Sequence, residues 1–215
     1  MDKTTLLDQL FITALKNVDQ SYYSTVYQNI EVFKQELKSR AGQYTNDTFE
    51  RYGERVFCYE LYHQLRIGID EIRKNFPDFL TGALLQGEVK KMMITGLLKR
   101  LHLNPLQGEI VPDFLIHSPS SSKAHYCAVE VKCINDLSEE AFMSDVSKLA
   151  DLITNFNYEQ GYFITVNSDI EYTRELLEAT ECMIYNTRGA DKVKIICKPN
   201  QKTEAIIRRL SPCQI

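Results

Sequence analysis

Two short runs constrain this chain more than any other feature. EIVPDFLIH (residues 109–117) and YCAVEVKCI (residues 126–134) flank the polar segment SPSSSKAH (118–125). Both read as strands, the second alternating between the two faces, and two strands around a short polar loop predict a β-hairpin. Alternate residues of a strand share a face. On the first strand Val111, Asp113 and Leu115 share one face, with Ile110, Phe114 and Ile116 on the other. On the second strand Glu130 and Lys132 point one way, while Val129, Val131 and Cys133 point the other. Pairing 117 with 126 puts 115 opposite 128 and 113 opposite 130. Asp113 and Glu130 then become direct neighbours, with Cβ atoms roughly 4.5–5.5 Å apart. Lys132 lies one step along, and the opposite, apolar face suits packing on a helix.

Two carboxylates facing each other repel and destabilise a bare sheet. A fold that keeps them there calls for a cation. Two carboxylates with water and a phosphate oxygen suit Mg²⁺, a hard cation that retains several waters, and Mn²⁺ can take the same oxygen ligands. Such a metal can polarise a phosphodiester and generate a hydroxide. A lysine beside it can orient or deprotonate the attacking water, or balance developing charge. The chemistry implied is phosphodiester hydrolysis.

The rest of the chain provides the frame. Leu6, Leu7, Leu10, Phe11, Ala14, Leu15 and Val18 recur at helical spacing over 4–18. A second stripe, Tyr23, Val26, Tyr27, Ile30, Phe33 and Leu37, predicts a helix over 22–38. A third helix runs from a cap at Thr48 to about Lys74 and is ended by Asn75-Phe76-Pro77. LLQGEV reads as a strand, 138–156 as a helix capped by Ser138, and GYFITV (161–166) as an apolar strand. Residues 168–180 read as a helix capped by Ser168 or Asp169. CMIYN and KVKIIC read as late strands, and 201–210 as a last helix. Helices followed by mixed strands and helices predict an α/β or α+β domain behind a helical segment.

Composition sets limits on partners. With 44% apolar residues among 215, the chain can fill one sizeable core. No apolar stretch is long enough to span a bilayer, so no membrane partner is expected. The N-terminal sequence, with Asp2 and Asp8, is not that of a signal peptide. Six dispersed cysteines without a CxxC spacing read as buried, reduced thiols, for which a reducing cytoplasm is the natural compartment. The 25 Lys and Arg against 29 Asp and Glu give a net charge of -4, which by itself argues against non-specific nucleic-acid binding. The basic clusters Lys90, Lys91, Lys99 and Arg100, and later Lys192, Lys194, Arg208 and Arg209, are the places for phosphate contact, or else solvated faces. His63, His102, His117 and His125 have no zinc-ligand spacing, though His117 and His125 bracket the hairpin loop.

Pro112-Asp113 followed by Glu130-x-Lys132, on two strands of a hairpin and followed by a helix, resembles the PD-(D/E)XK nuclease superfamily, the restriction-endonuclease-like nucleases. The resemblance covers about 48–167 and implies a restriction-endonuclease-like mixed central sheet flanked by helices, with an added N-terminal helical segment. The domains expected are that segment, 1–44, and a nuclease-like domain, 45–215. It further implies Asp113, Glu130 and a helix acid as Mg²⁺ ligands, with Lys132 acting on the attacking water. Glu60, in CYELYHQLR, is the leading helix acid and Glu54 the second. Related nucleases also point a polar or basic residue from the helix after the hairpin into the site. Lys148 is that candidate, a surface ion pair with Asp145 being the alternative. Glu109 falls on the Asp113 face; it and Glu88 suit structural or edge roles. The partner implied is nucleic acid, DNA ahead of RNA by family frequency. Competing readings are an inactive binding module of the same fold, and an interaction protein whose Leu6, Leu10, Phe11 and Leu15 stripe forms a homodimer or packs internally.

Overall fold

The computed structural model describes residues 2–25, 46–88, 111–119, 124–134 and 137–210. Three helices come first: α1 (Lys3–Asn17), α2 (Gln20–Thr25) and α3 (Asn46–Asn75). Then come β1 (Leu84–Gly87), β2 (Phe114–His117), β3 (His125–Cys133), α4 (Glu139–Phe156), β4 (Gln160–Val166), α5 (Ile170–Tyr185), β5 (Val193–Lys198) and β6 (Ile206–Arg209). The strands form one six-stranded sheet in sequence order. β1, β2 and β3 are antiparallel, β3, β4 and β5 are parallel, and β6 closes the order antiparallel to β5. The architecture is α/β, a mixed sheet with helices on both faces.

Local chemistry explains where the elements begin. Asp2 caps α1 by accepting from the Thr5 amide at 3.0 Å. Ser138 caps α4 through the Ala141 amide, with Glu139 and Glu140 in a first turn that favours negative charge. Asp169 rather than Ser168 caps α5, accepting from the Glu171 and Tyr172 amides. Ser168 is instead buried, donating to the Ile134 carbonyl and accepting from Thr165.

The sheet separates two apolar layers. Leu7, Leu10, Phe11 and Leu15 of α1 and Phe57, Leu61 and Leu65 of α3 pack on Ile116, Val129, Val131 and Ile164. Phe142, Val146 and Leu149 of α4 and Leu176 and Leu177 of α5 pack on Leu115, Ala128, Phe163 and Ile195. The apolar face of the hairpin therefore does cover helices, and the α1 stripe is used inside the chain: Phe11 stacks 4.3 Å from Tyr162, ring centroid to centroid. Among the described residues no helix is long and apolar enough to cross a membrane. Cys58, Cys127, Cys133 and Cys197 are buried free thiols.

Four expectations change. CMIYN is not a strand but falls within and at the end of α5, where Ile184 is buried in the second layer with Leu176 and Leu177. Residues 201–210 are not a helix. Asn200 accepts from the amides of Lys202 and Thr203 in a turn, after which Ile206–Arg209 pairs with β5. β2 begins only at Phe114, and its far end slips so that His117 faces His125 rather than residue 126. The helix read over 22–38 starts earlier, as α2, and its part beyond 25 lies outside the described residues, as do Glu109, Lys90, Lys91, Lys99, Arg100 and His102.

Helix α1 is also tied to the sheet by a buried charge. Lys194 on β5, 3% exposed, is clamped by both carboxylate oxygens of Asp8 at 2.6 and 2.7 Å, and Tyr162 donates to the same carboxylate. Lys194 is thus an internal anchor and not a phosphate contact. Removing one partner of such a pair strands the other charge, at a cost of about 3–5 kcal/mol. Asp8→Asn should therefore destabilise by about that much in urea unfolding, and adding Lys194→Met should recover part of it. A double variant less stable than Asp8→Asn alone would contradict this.

Candidate active site

The site lies at the C-terminal end of β3, an interior strand, where the two helix layers approach each other past the end of the sheet. Asp113 sits one residue before β2. Pairing of β2 with β3 stops at Phe114 and Val129, so the Val131 amide lacks a carbonyl partner on β2. The Asp113 carboxylate takes its place, accepting from Val131 N at 2.7 Å. This holds the carboxyl at the position across from Glu130 that continues the β2–β3 register. Glu130 is only 5% exposed, and its Oε1 is buried with no hydrogen-bond partner.

Lys132 follows on the same face of β3. Its Nζ lies 3.6 Å from Glu54 Oε1 on α3 and 3.5 Å from Asp145 Oδ2 on α4. Glu54 also accepts from the Cys133 amide at 3.4 Å. Asp145, 3% exposed, pairs with Lys148 at 2.6 Å. Four carboxyl groups and two ammonium groups are thus drawn together.

Burial shapes their protonation. It raises Glu54 to about 7 against the pull of Lys132, with Asp113 and Asp145 adding to the rise. Burial likewise raises Asp113, against the Val131 amide and Lys132, and raises Glu130 well above the carboxylate range, with Asp113 and Asp145 reinforcing it. For Lys132 burial acts downward but is outweighed by Glu54, Asp145, Asp113 and Glu130, so the ammonium is held above its ordinary value. Burial also raises the Cys58 and Cys133 thiols, which leaves them poor nucleophiles.

Of the sequence candidates, Asp113, Glu130 and Lys132 come together, and Glu60 does not join them. Glu60 accepts from Gln64 Nε2 at 2.7 Å along its own helix. The second candidate, Glu54, occupies the place instead. Six residues on a helix turn through about 240° net, so Glu54 and Glu60 point to different sides. Glu54 lies on the apolar stripe of Phe57, Leu61 and Leu65, which faces the sheet. Lys148 reaches the site through Asp145. Asp145 itself, read as one half of a surface pair, is a buried member of it. Its signal was its spacing with Phe142, Leu149 and Leu152 on the buried stripe of α4. Glu88 is exposed and pairs with Arg55 at 2.7 Å. At the other end of β3, His117 and His125 face each other with ring centroids 5.6 Å apart, bound to Gln86 and to the Phe156 carbonyl.

Among the described residues no group of three or more His, Cys, Asp and Glu side chains is set to hold a metal ion. Mg²⁺ needs less, since it is usually held by one or two carboxylates and keeps its waters. The Asp113–Glu130 pair offers two carboxyl groups with hard oxygen donors, and Glu130 Oε1 has no hydrogen-bond partner. No protein-family model matches the chain, and no curated protein or solved structure shows significant similarity to it.

The raised carboxyls predict the pH dependence of stability in chelator. Glu54 ionises near its model value of 4.5 when unfolded but near 7 when folded. The folded state therefore holds a proton that the unfolded chain has released. The stability this contributes is complete below about 4.5 and is lost as pH rises through about 7. Asp113 and Glu130 act in the same direction. Calorimetric Tm should fall across this window, less steeply in Glu54→Gln. A Tm that rises with pH there would contradict the burial of these groups.

Proposed function

We propose that the chain is a divalent-metal-dependent nuclease of the PD-(D/E)XK type, hydrolysing phosphodiester bonds of nucleic acid, with DNA as the first substrate to test. One observation carries this reading: the Asp113 carboxylate, held by the Val131 amide at 2.7 Å, is brought across from Glu130 and beside Lys132, with a buried Glu130 oxygen left unpartnered. The order α3, three antiparallel strands, α4 and a parallel strand β4 agrees with the core order of that superfamily. Asp113 and Glu130 are the ligands for Mg²⁺ or Mn²⁺, with Glu54 in the supporting place that Glu60 was expected to fill.

When bound, the cation would polarise the phosphodiester and ease ionisation of the attacking water. The chain's own groups do the rest. Lys132 has three donors and no acceptor. Held as an ammonium, it orients the water or a non-bridging oxygen and balances the charge that builds on the phosphoryl group. Glu54, with a pKa of about 7, is matched to accept a proton at neutral pH. The water oxygen bonds to phosphorus as the bond to the departing sugar oxygen breaks, leaving a phosphate monoester and a hydroxyl.

A second reading has a specific observation behind it. Glu130 is almost fully buried and Lys132 is paired on two sides, the state of a fold that binds without cutting. Incubation with plasmid and single-stranded DNA in Mg²⁺ or Mn²⁺ separates the two. Cleavage should stop in EDTA and in Glu130→Gln and Asp113→Asn. It should slow by about 10²–10³-fold in Lys132→Met, as for loss of one charge-stabilising donor. Glu54→Gln should be impaired while Glu60→Gln retains the wild-type rate. No cleavage of any nucleic acid, with no heat of metal binding, would overturn the enzyme reading.

A further inference from the structure

We propose that Asp145 is a positioning residue that holds Lys132 and Lys148 together as a two-ammonium clamp for a backbone phosphate of the nucleic acid. The proposal rests on the nuclease reading and adds to it how the substrate is gripped. A carboxylate on the apolar stripe of a helix is costly to bury unless it is paired. Asp145 stands among Phe142, Val146 and Leu149 at 3% exposure, so its pairing is a structural requirement of α4. Its partners come from two elements. Oδ1 takes Lys148 Nζ from α4 at 2.6 Å, and Oδ2 faces Lys132 Nζ from β3 at 3.5 Å. Oδ2 accepts no hydrogen bond.

The depth of the three side chains is graded. The Asp145 side chain is 4% exposed, Lys132 27% and Lys148 40%. The carboxylate therefore lies beneath two ammonium groups that reach towards solvent. Lysines on flexible four-carbon stems would separate by mutual repulsion without it. Held over one anion, they present several donors beside the Asp113–Glu130 pair. A group with several anionic oxygens that also meets a metal held by that pair is a phosphate.

The sign of one substitution tests the idea. By charge alone, removing a carboxylate near a polyanion site tightens binding. Positioning predicts the reverse. Binding of a short fluorescent DNA duplex is measured by anisotropy in Ca²⁺ over a series of NaCl concentrations. Asp145→Asn should bind several-fold more weakly than wild type, and the slope of log K against log salt should shrink by about 1. Lys148→Gln should do the same, and the double variant should be no worse than either single one, because all three side chains act as a unit. Lys148 is the most exposed of the three, so its variant decides the matter if Asp145→Asn does not fold. Wild-type binding with unchanged or tighter binding in Asp145→Asn, or an unchanged slope in Lys148→Gln, overturns the clamp and leaves the nuclease reading standing. Absence of binding by the wild-type protein overturns both.

Discussion

Lys132 is the charge on which the candidate site depends. It stands at the end of β3 between Glu54 on one helix layer and Asp145 on the other. Burying a carboxylate costs several kcal/mol unless a counter-charge and hydrogen bonds compensate. A single ammonium in this position compensates two helices at once, and it does so from the strand that carries Glu130. Without that charge, Glu54 could not occupy an apolar helix stripe at low cost, and Asp145 would rest on Lys148 alone. α3 and α4 would then lose the contacts that register them at this end of the sheet.

The compensation is incomplete, and the excess is informative. Four carboxyls face two ammoniums, and three of the carboxyls are raised by burial. The group is thus short of positive charge, with Glu130 and Asp145 almost wholly buried. A divalent cation would supply that charge in one step, whereas protons supply it by neutralising the carboxylates. The slightly acidic net charge of -4 is read differently in this light. Part of the acidity is concentrated where a metal would offset it, and it does not describe the surface as a whole.

Much of the arrangement was legible in the residues. Alternation in YCAVEVKCI separated Glu130 and Lys132 from the valines, and the pairing of 115 with 128 followed from hairpin geometry. Glu54 was less legible because Tyr59, Tyr62 and His63 around Glu60 favoured that residue, although helical phase with Phe57 and Leu61 favours Glu54. Asp145 was missed for a related reason. An acid three residues before a lysine looks like an exposed pair until the stripe it belongs to is seen to be buried. The late elements misled because short apolar runs fit either structure. CMIYN completes a helix and Ile206–Arg209 makes a strand only because β5 offers an edge to pair with.

The sequence by itself determined the hairpin, the face each of its charges takes, the cap at Ser138, and the apolar stripe of α1. These follow from strand and helix periods and from local hydrogen bonding, which act over a few residues. Only the tertiary structure decided which helix acid meets Lys132, that Asp145 joins the site, and that Lys194 is an anchor for Asp8. Those outcomes depend on how helices lie across a twisted sheet. Residues 79 positions apart, such as Glu54 and Cys133, become neighbours there, and no local pattern encodes that distance.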